Sequence, residues 1–292
     1  MRLINGITIN NQLQEGYDSV KINSGTVFHT EQLAEMVHFQ NLHFRPQYEE
    51  EAYVVKRDWR SLTPAEIKQL QPKDECNSYN TVYLGELPEH LKNSFRELDL
   101  AGSKSRDEVF EKFYRDAGKV KAVSNEMHAF LSPFSDNKPF YFNCIGTQLP
   151  NLEMVACETT KLPKGYHPKD VQYMGIHNDG RTKMTVHTAH KFGNRISINL
   201  GKEARGFLFV NLSMIQALNM LKKKIDIRAH NINISNISSY FFRHFPDYPV
   251  LRIQQKPYQY YIAPTDNCFH DGSTLGNSEL DITLIYFGFF KR

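Results

Sequence analysis

Residues 175–180 read GIHNDG and place an imidazole and a carboxylate two positions apart between glycines. In an extended segment the side chains at positions i and i+2 point to the same face, so His177 and Asp179 are expected to aim at one point. Two histidines and one carboxylate form the facial triad of non-haem iron sites, and His270, in the later stretch 261–272, is the expected third member. The sequence therefore predicts an iron site that joins two distant segments.

The overall composition is that of a folded globular protein. Of the 292 residues, 40% are hydrophobic and 23% are charged, which argues against disorder. A chain of this length can bury a sizeable core, and all-β barrels of roughly 200–250 residues form single units. The formal net charge of +3 is too small to indicate a nucleic-acid partner, although it is compatible with a basic pocket for an acidic ligand. A small-molecule substrate is therefore expected, and nucleic acid is not.

The cysteines and the apolar runs indicate a cellular compartment. The cysteines are scattered and include no C-x-x-C pair, which predicts reduced, mostly buried thiols in an intracellular protein. The first residues, MRLING, contain no apolar run of signal-peptide length, and no segment approaches the roughly 18 apolar residues of a membrane span. We therefore expect a cytoplasmic protein without a membrane partner. No pattern in the sequence indicates an oligomeric state.

Residues 1–139 are predicted to form a mixed, partly helical part that packs on the remainder of the chain. A helix is predicted to begin at Thr30, which is followed by an acidic residue and an apolar face. A second begins at Thr63 in the pattern T-P-A-E, a capping box with proline at the first helical position. The strongest helical periodicity covers residues 105–130, and its apolar stripe is expected to pack against a sheet.

Residues 140–292 have a different pattern, with short β-rich runs separated by turns rich in Gly, Pro, Asn and Asp. This spacing is typical of an antiparallel barrel or sandwich. One helix is predicted to interrupt the strands near residues 212–226, where apolar residues recur at helical spacing. The predicted strand runs are Phe140–Ile145, Met154–Thr159, Tyr173–His177, Arg195–Leu200, Gly206–Leu212, Val250–Gln254, Tyr258–Ala263 and Asp281–Phe290.

With its H-x-D motif and a distal histidine after a further β-rich run, the chain resembles the Fe(II)/2-oxoglutarate-dependent oxygenase superfamily. The resemblance covers roughly residues 140–292. It implies a mixed α+β protein with a double-stranded β-helix core (jelly-roll or cupin-like) and packed N-terminal helices, in one integrated domain. It also implies that His177, Asp179 and His270 bind Fe(II), with 2-oxoglutarate and O2 filling the remaining coordination positions.

The expected site for 2-oxoglutarate departs from the common pattern of this superfamily. Many members carry an arginine about ten or more residues beyond the distal histidine, where it pairs with a carboxylate of 2-oxoglutarate. Here residues 280–285 read LDITLI and contain no basic residue. JmjC-type members place the basic residue on the strand after H-x-D, where Arg195 is the candidate. Ser197 shares its predicted face, and Thr283 is a candidate for a second hydrogen bond.

Several other residues compete for these roles. His187 and His190 form an H-x-x-H pair, but their segment is short and lacks the glutamate that follows the first histidine of a zinc-protease helix. Lys191 and Arg181 are alternative anchors for 2-oxoglutarate, and both are less favoured than Arg195 because they lie outside its predicted strand.

Substrate recognition is predicted in the stretch KRDWR, residues 56–60. Arg57 and Arg60 are candidates to bind a carboxylate, and Trp59 would present its indole beside it. The alternative interpretation is an exposed charged strand with one packed tryptophan. Tyr261, near the distal histidine, is expected either to line the substrate pocket or to pack in the core.

The carboxylate of Asp179 limits the chemistry that the resemblance implies. Halogenating members have a small residue at this position, so hydroxylation, desaturation or oxidative ring closure of a small acidic or amino-acid-like metabolite is expected instead. Two alternatives stay open. One is an oxygenase that acts on a protein or nucleic acid, and the other is a cupin-like barrel that binds a metal or ligand without redox chemistry.

Overall fold

Two β-sheets form the centre of the protein in the computed structural model, which describes residues 2–73, 76–160 and 162–291. The strands are β1 (Thr8–Asn11), β2 (Val20–Ile22), β3 (Thr26–Phe28), β4 (Val37–Phe39), β5 (Leu42–Phe44), β6 (Gln47–Tyr48), β7 (Tyr53–Val55), β8 (Arg60–Ser61), β9 (Thr81–Glu86), β10 (Tyr141–Gln148), β11 (Gln172–Tyr173), β12 (Asn194–Asn199), β13 (Arg205–Phe209), β14 (Leu251–Gln255), β15 (Gln259–Ala263), β16 (His270–Ser273) and β17 (Asp281–Gly288). The α-helices are α1 (Pro64–Leu70), α2 (Glu89–Glu97), α3 (Arg106–Arg115), α4 (Ala117–Leu131), α5 (Met214–Leu221) and α6 (Ile237–His244). Short 3-10 helices cover Gly16–Ser19, His29–Glu31, Leu100–Gly102, Ser132–Ser135, Pro168–Asp170, Ala189–Lys191 and Thr265–Asn267.

The strand order shows how the two sheets are connected. The larger sheet has the order β1-β9-β15-β12-β17-β10 and the smaller sheet the order β16-β13-β14-β2-β8. Pairing within them is antiparallel except between β1 and β9. Backbone hydrogen bonds of 3.2 and 2.6 Å join His177 to His270 in both directions, so the segment around His177 extends the smaller sheet beyond β16. From β10 to β17 the chain therefore passes repeatedly between the sheets: β10 in the larger, His177 in the smaller, β12 in the larger, β13 and β14 in the smaller, and then β15, β16 and β17 in alternation.

Side chains alternate between the two faces of each sheet, and those on the inner faces line the region between the two sheets, called here the intersheet space. Ile196 of β12 packs in the apolar cluster that joins the outer face of the larger sheet to α2, α3 and α4. Leu208 of β13 packs in a second cluster, with α5 and α6 on the outer face of the smaller sheet. Because successive side chains on a strand point to opposite faces, Arg195 and Ser197 of β12 and Arg205 of β13 point into the intersheet space.

The predicted helices are confirmed in part. The helix predicted at Thr63 is α1, and its capping box is present: the Glu66 amide donates to Thr63 Oγ1 at 3.3 Å, and Glu66 Oε2 accepts from the Thr63 amide at 2.8 Å. The helical pattern over residues 105–130 forms two helices, because Asp116 leaves the helical conformation and caps α4 through the Lys119 amide at 2.9 Å. The helix predicted near residues 212–226 is α5, whereas α6 was not predicted. None of the helices in the described ranges is both long and apolar enough to cross a lipid bilayer.

The helix predicted to begin at Thr30 is wrong, because the following residues form the hairpin of β4 and β5. Leu33, expected on the apolar face, is 70% exposed, whereas Val37 is completely buried in a strand. Gln40 has a left-handed backbone conformation (φ +52°) at the two-residue turn, as short hairpin turns require. Packing of Val37 against the outer core therefore overrides the local helical signal.

The strand predictions are confirmed for β10, β12, β13, β14, β15 and β17 to within a few residues. The run Met154–Thr159 contains only a single bridge, at Cys157. The strand β16 was missed because its sequence, HDGS, has no apolar alternation, although all four residues are buried. Residues before 140 contribute β1 and β9 to the larger sheet and β2 and β8 to the smaller. The division into residues 1–139 and 140–292 stays a prediction.

Candidate metal centre

His177, Asp179 and His270 converge at one end of the intersheet space. Their candidate ligand atoms all lie within 4.8 Å of one another, and no other group of three such residues is this close within the described ranges. The Nε2 atom of His270 is 3.4 Å from Asp179 Oδ2, and the Nε2 atom of His177 is 4.0 Å from Asp179 Oδ1. The side chain of Asp179 is 22% exposed, so the cluster is open to solvent on one side.

The backbone explains why these residues meet. The paired amides and carbonyls of His177 and His270 place the two histidines side by side, with ring centres 4.8 Å apart. The turn before His177 needs glycine, because Gly175 has φ +73° and a Cβ atom there would lie 2.5 Å from the Tyr53 carbonyl oxygen. The amide of Asp179 is 3.4 Å from the Thr265 carbonyl oxygen, which ties this turn to the segment leading to β16.

Both imidazoles are oriented for metal binding through Nε2. The Nδ1 atom of His177 is 2.9 Å from the Gly175 carbonyl oxygen, and that of His270 is 3.3 Å from the Cys268 carbonyl oxygen. A carbonyl only accepts, so each Nδ1 carries the proton and each Nε2 presents a lone pair. Burial, together with the neighbouring His177, holds the pKa of His270 well below its ordinary value. The ring therefore stays neutral, as metal ligation requires.

Two arginines and a buried aspartate form ion pairs next to this cluster. The Nη1 atom of Arg195 contacts Asp179 Oδ2 and donates to Thr265 Oγ1 at 3.0 Å. Its Nη2 atom lies 3.6 Å from Oδ1 of the buried Asp266, whose Oδ2 lies 2.7 Å from the Nε atom of Arg181. Burial raises the pKa of Asp266, although the two guanidinium groups oppose that shift. Arg195 therefore orients the Asp179 carboxylate, and Asp266 forms ion pairs with both arginines.

A second carboxylate lies behind the histidines. Asp271 Oδ2 is 3.9 Å from His177 Nδ1, and Asp271 Oδ1 accepts from the amides of Val155 and Ala156 at 3.2 and 3.0 Å. Asp271 points away from the ligand atoms, and its carboxylate lies near the back of the His177 ring.

A buried ion pair lies deeper in the intersheet space. The Nε atom of Arg205 is 3.1 Å from Asp281 Oδ2, and their side chains are 6% and 2% exposed. Within the described ranges neither Arg205 Nη1 nor Ser197 Oγ has a hydrogen-bond partner. Thr283 is two residues from Asp281 on β17 and faces the same space, because Leu284 packs on the outer face. Buried donors without partners are rare in native proteins, so a bound water or a polar ligand is expected to satisfy them.

Arg205 was missed by sequence reasoning because it follows the turn-like residues 201–204 (GKEA). A signal was nevertheless present. An aspartate at the start of the buried run 281–287 needs a cationic partner, and Arg205 begins another buried run. Tyr261 also lies in the intersheet space, stacked on Phe207 with ring centres 3.9 Å apart. Its hydroxyl is close enough to Arg205 to help Asp281 raise the pKa of the guanidinium.

The structure does not bring the predicted substrate residues of the KRDWR stretch to the triad. The Nε atom of Arg57 pairs with Glu153 at 2.9 Å, and Nη2 of Arg60 pairs with Glu66 at 2.7 Å. Trp59 packs against the outer core cluster of the smaller sheet. The strand that holds Arg60, β8, is four strands from β16, or about 19 Å at the usual strand spacing.

The competing histidine pair does not form a metal cluster either. His187 and His190 are both exposed, and neither belongs to a group of three candidate ligands within the described ranges. The His190 ring instead contacts Tyr79 edge-on, with ring centres 6.0 Å apart.

Comparisons with known proteins find likeness only among solved structures. No protein-family model and no curated protein sequence matches the chain. One similar structure is the Kdo hydroxylase KdoO, a non-heme Fe(II) alpha-ketoglutarate-dependent dioxygenase in complex with cobalt(II), with 12% identity, a TM-score of 0.38, and 72% of this chain and 80% of that chain covered. An N-substituted L-amino acid dioxygenase from Burkholderia ambifaria in complex with alpha-ketoglutarate has 10% identity, a TM-score of 0.25, and coverage of 70% and 84%. The iron and alpha-ketoglutarate-dependent endoperoxidase NvfI has 8% identity, a TM-score of 0.31, and coverage of 92% and 98%.

These structures belong to the class of enzyme that the H-x-D…H pattern resembles. Their TM-scores are below 0.5, so the likeness carries no functional conclusion for this chain.

Proposed function

We propose that this protein is an Fe(II)- and 2-oxoglutarate-dependent dioxygenase that oxidises a C–H bond of a small acidic or amino-acid-like metabolite. The reaction would be a hydroxylation, a desaturation or an oxidative ring closure, with succinate and CO2 as co-products. The observation that carries this proposal is the convergence of His177, Asp179 and His270, whose ligand atoms lie within 4.8 Å of one another. Two imidazoles and one carboxylate are the ligand set of a non-haem iron site with open positions.

The path of the chain supports the same proposal. From β10 to β17 the strands pass repeatedly between the two sheets, and His177 and His270 lie on adjacent segments of the smaller one. We propose that this alternation is the double-stranded β-helix that the sequence motif implies. In such a core the ligands project from paired strand ends into the space between the sheets, where an organic co-substrate can bind beside them.

The residues around the cluster have distinct roles in this proposal. Iron, when bound with 2-oxoglutarate and O2, supplies the oxidising power that breaks the substrate C–H bond. His177 and His270 bind through Nε2 because backbone carbonyls hold their Nδ1 protons. Asp179 adds the anionic ligand, and its contact with Arg195 keeps that carboxylate turned towards the histidines. Asp271 places a carboxylate oxygen 3.9 Å from Nδ1 of His177, on the side away from the ligand atoms.

The residues that would bind 2-oxoglutarate stay a proposal, and one further residue in the intersheet space is a candidate for this role. Arg195, Ser197 and Thr283 are the predicted residues, and Ser197 Oγ is a buried donor without a partner in the described ranges. Arg205 lies deeper than Arg195 and next to Gly272, where a Cβ atom would be 2.5 Å from Arg205 Nη2. Since 2-oxoglutarate carries a carboxylate at each end, we propose that Arg205 binds the end that is remote from the metal.

The direct test of this function is formation of succinate. Purified protein with Fe(II), ascorbate, O2 and 2-oxoglutarate is expected to convert 2-oxoglutarate slowly to succinate, and faster when a substrate acid is present. The measurement is succinate by NMR, with a metal chelator as the control that abolishes it. A protein that binds neither Fe(II) nor 2-oxoglutarate and forms no succinate would contradict the proposal. A protein that binds metal but not 2-oxoglutarate would instead be a non-redox barrel.

Arg195 provides a second prediction, which concerns metal affinity. In Arg195→Met the carboxylate of Asp179 loses the group that orients it, so the affinity for Co(II) is expected to fall about 10–100-fold. Titration calorimetry with Co(II) measures this change, and Arg195→Lys should recover part of it. The matched control is Lys191→Met, which removes an exposed cation nearby and should leave the affinity unchanged. Equal Co(II) affinity in Arg195→Met and wild type would show that Asp179 needs no such support.

A further inference from the structure

Arg181 lies two residues after Asp179, at the solvent-facing edge of the metal centre. Its Nε atom lies 2.7 Å from Oδ2 of the buried Asp266, and its guanidinium carbon is 3.5 Å from the centre of the Phe287 ring. The side chain is 27% exposed. One edge and one face of the guanidinium are therefore fixed by the protein, while part of the group remains accessible to a ligand.

Within the described ranges, the two Nη groups of Arg181 have no hydrogen-bond partner in the protein. An arginine has five N–H donors, and within the described ranges the Nε atom of Arg181 is the one that pairs with a carboxylate. The two Nη groups are the pair that binds a carboxylate with two parallel hydrogen bonds. A long side chain usually loses much conformational freedom when it binds, but here Asp266 and Phe287 already restrict it. The group is thus preorganised for an anion.

The charge balance also favours an anion at this position. Asp266 lies between Arg181 and Arg195, and Arg195 contacts Asp179 as well. If Asp179 binds iron, its negative charge is shared with the metal, and Asp266 alone then faces two guanidinium groups. Locally, the two guanidinium groups then share one full carboxylate charge, that of Asp266. This step rests on the proposed function.

The buried ring of Phe287 connects Arg181 to an exposed aromatic ring, that of Tyr141. Phe287 of β17 lies opposite Tyr141 of β10, and their ring centres are 5.4 Å apart. Tyr141 forms this cross-strand pair and is still 54% exposed, so part of its ring is accessible to a ligand. An exposed ring that borders a fixed cation provides an apolar surface for the carbon skeleton of an organic acid.

We propose that Arg181 binds a carboxylate of the organic substrate, and that Tyr141 packs against the carbon skeleton next to it. The substrate class is therefore a small organic acid with an apolar or aromatic portion. Its carboxylate is held beside the metal centre by Arg181 and does not bind the metal. Arg181 takes the role of specificity residue that the sequence had suggested for the KRDWR stretch.

The test uses protein loaded with Co(II) and saturated with 2-oxoglutarate, a state that binds ligands without turnover. The probes are phenylacetate, 3-phenylpropanoate and hexanoate, each compared with its neutral primary amide. Their dissociation constants are measured by the broadening of ligand NMR signals near Co(II). We expect at least one acid to bind wild type about 10–100-fold more tightly than its amide, the range that charge-assisted hydrogen bonds supply.

The variants separate Arg181 from general charge effects. In Arg181→Met the preference for acid over amide is expected to disappear, and Arg181→Lys should restore part of it. The matched control is Arg96→Met, because Arg96 also pairs with a carboxylate (Glu89, 2.7 Å) and lies over an aromatic ring (Tyr258, 5.3 Å), but it lies on the solvent-facing side of α2. This control should keep the wild-type preference.

A further variant tests the aromatic surface. Tyr141→Ala removes an exposed ring, so folding should be unaffected. The variant is expected to weaken phenylacetate binding about threefold to tenfold, as loss of an aromatic pair does. It also keeps the proposal testable should Arg181→Met fail to fold. Unchanged phenylacetate binding in Tyr141→Ala would overturn the assigned role of the ring.

Three results would overturn the proposal for Arg181. They are equal binding of all acids and amides to wild type, an acid preference that survives in Arg181→Met, and a loss of 2-oxoglutarate affinity of tenfold or more in that variant. The last result would assign Arg181 to the co-substrate. Failure of the proposed function is a separate observation, because wild type would then not bind 2-oxoglutarate, whether or not it binds Co(II).

Discussion

His270→Ala is expected to bind Co(II) or Fe(II) more than a hundredfold less tightly than wild type and to form no measurable succinate. Loss of a group that merely orients a ligand costs about 10–100-fold in metal affinity, and loss of a ligand itself must cost more. His270 is one of the three groups whose ligand atoms lie within 4.8 Å, and the described ranges contain no other such cluster to replace it. Titration calorimetry and the metal content of the purified protein measure the effect.

The control for His270→Ala is the double variant His187→Ala/His190→Ala. Both histidines are exposed and form the competing H-x-x-H pair, so their removal should change neither metal content nor succinate formation. Stoichiometric metal in His270→Ala, or loss of metal in the double variant, would contradict the assigned ligand set. His177→Ala and Asp179→Ala should behave as His270→Ala does, because all three ligands contribute to one ion.

Local periodicity explains why half of the site could be predicted from sequence. The convergence of His177 and Asp179 follows from the alternation of an extended segment, which two residues are enough to specify. The capping box at Thr63 is local in the same way, and α1 begins where it predicts. His270 could be linked to them because two histidines and a carboxylate are a known ligand set, although its strand, β16, has no apolar pattern.

Partners that come from different sheets could not be predicted in this way. Whether Arg205 meets Asp281, or Arg181 meets Asp266 and Phe287, depends on how β13, β17 and the loop after Asp179 are placed in space. Sequence reasoning therefore chose Arg195 as the co-substrate anchor from its place on a polar strand face. That face does point into the intersheet space, but the Arg195 guanidinium is held by Asp179, Thr265 and Asp266.

Arg205→Met is expected to lower the free energy of unfolding by about 3–5 kcal/mol, the usual cost of breaking a buried ion pair by removing one partner. The cause is Asp281, whose side chain is 2% exposed and would remain buried without its cation. The same variant should bind 2-oxoglutarate at least about tenfold less tightly, because a bidentate charge-assisted contact is lost. Urea unfolding of the metal-free protein measures the free energy of unfolding. Titration of the Co(II)-loaded protein with 2-oxoglutarate measures the affinity.

The double variant Arg205→Met/Asp281→Leu separates the structural effect from the binding effect. Replacing a buried ion pair by apolar side chains of similar size is often neutral or stabilising, by about 1–4 kcal/mol, so stability should return to the wild-type value or exceed it. Affinity for 2-oxoglutarate should not return, because the unpartnered Nη1 donor of Arg205 is still missing. If the stable double variant binds 2-oxoglutarate as wild type does, Arg205 only holds the two sheets together. In that case Arg195 is the expected anchor for the 2-oxoglutarate carboxylate, and Arg195→Met should lower the affinity for 2-oxoglutarate in the same titration.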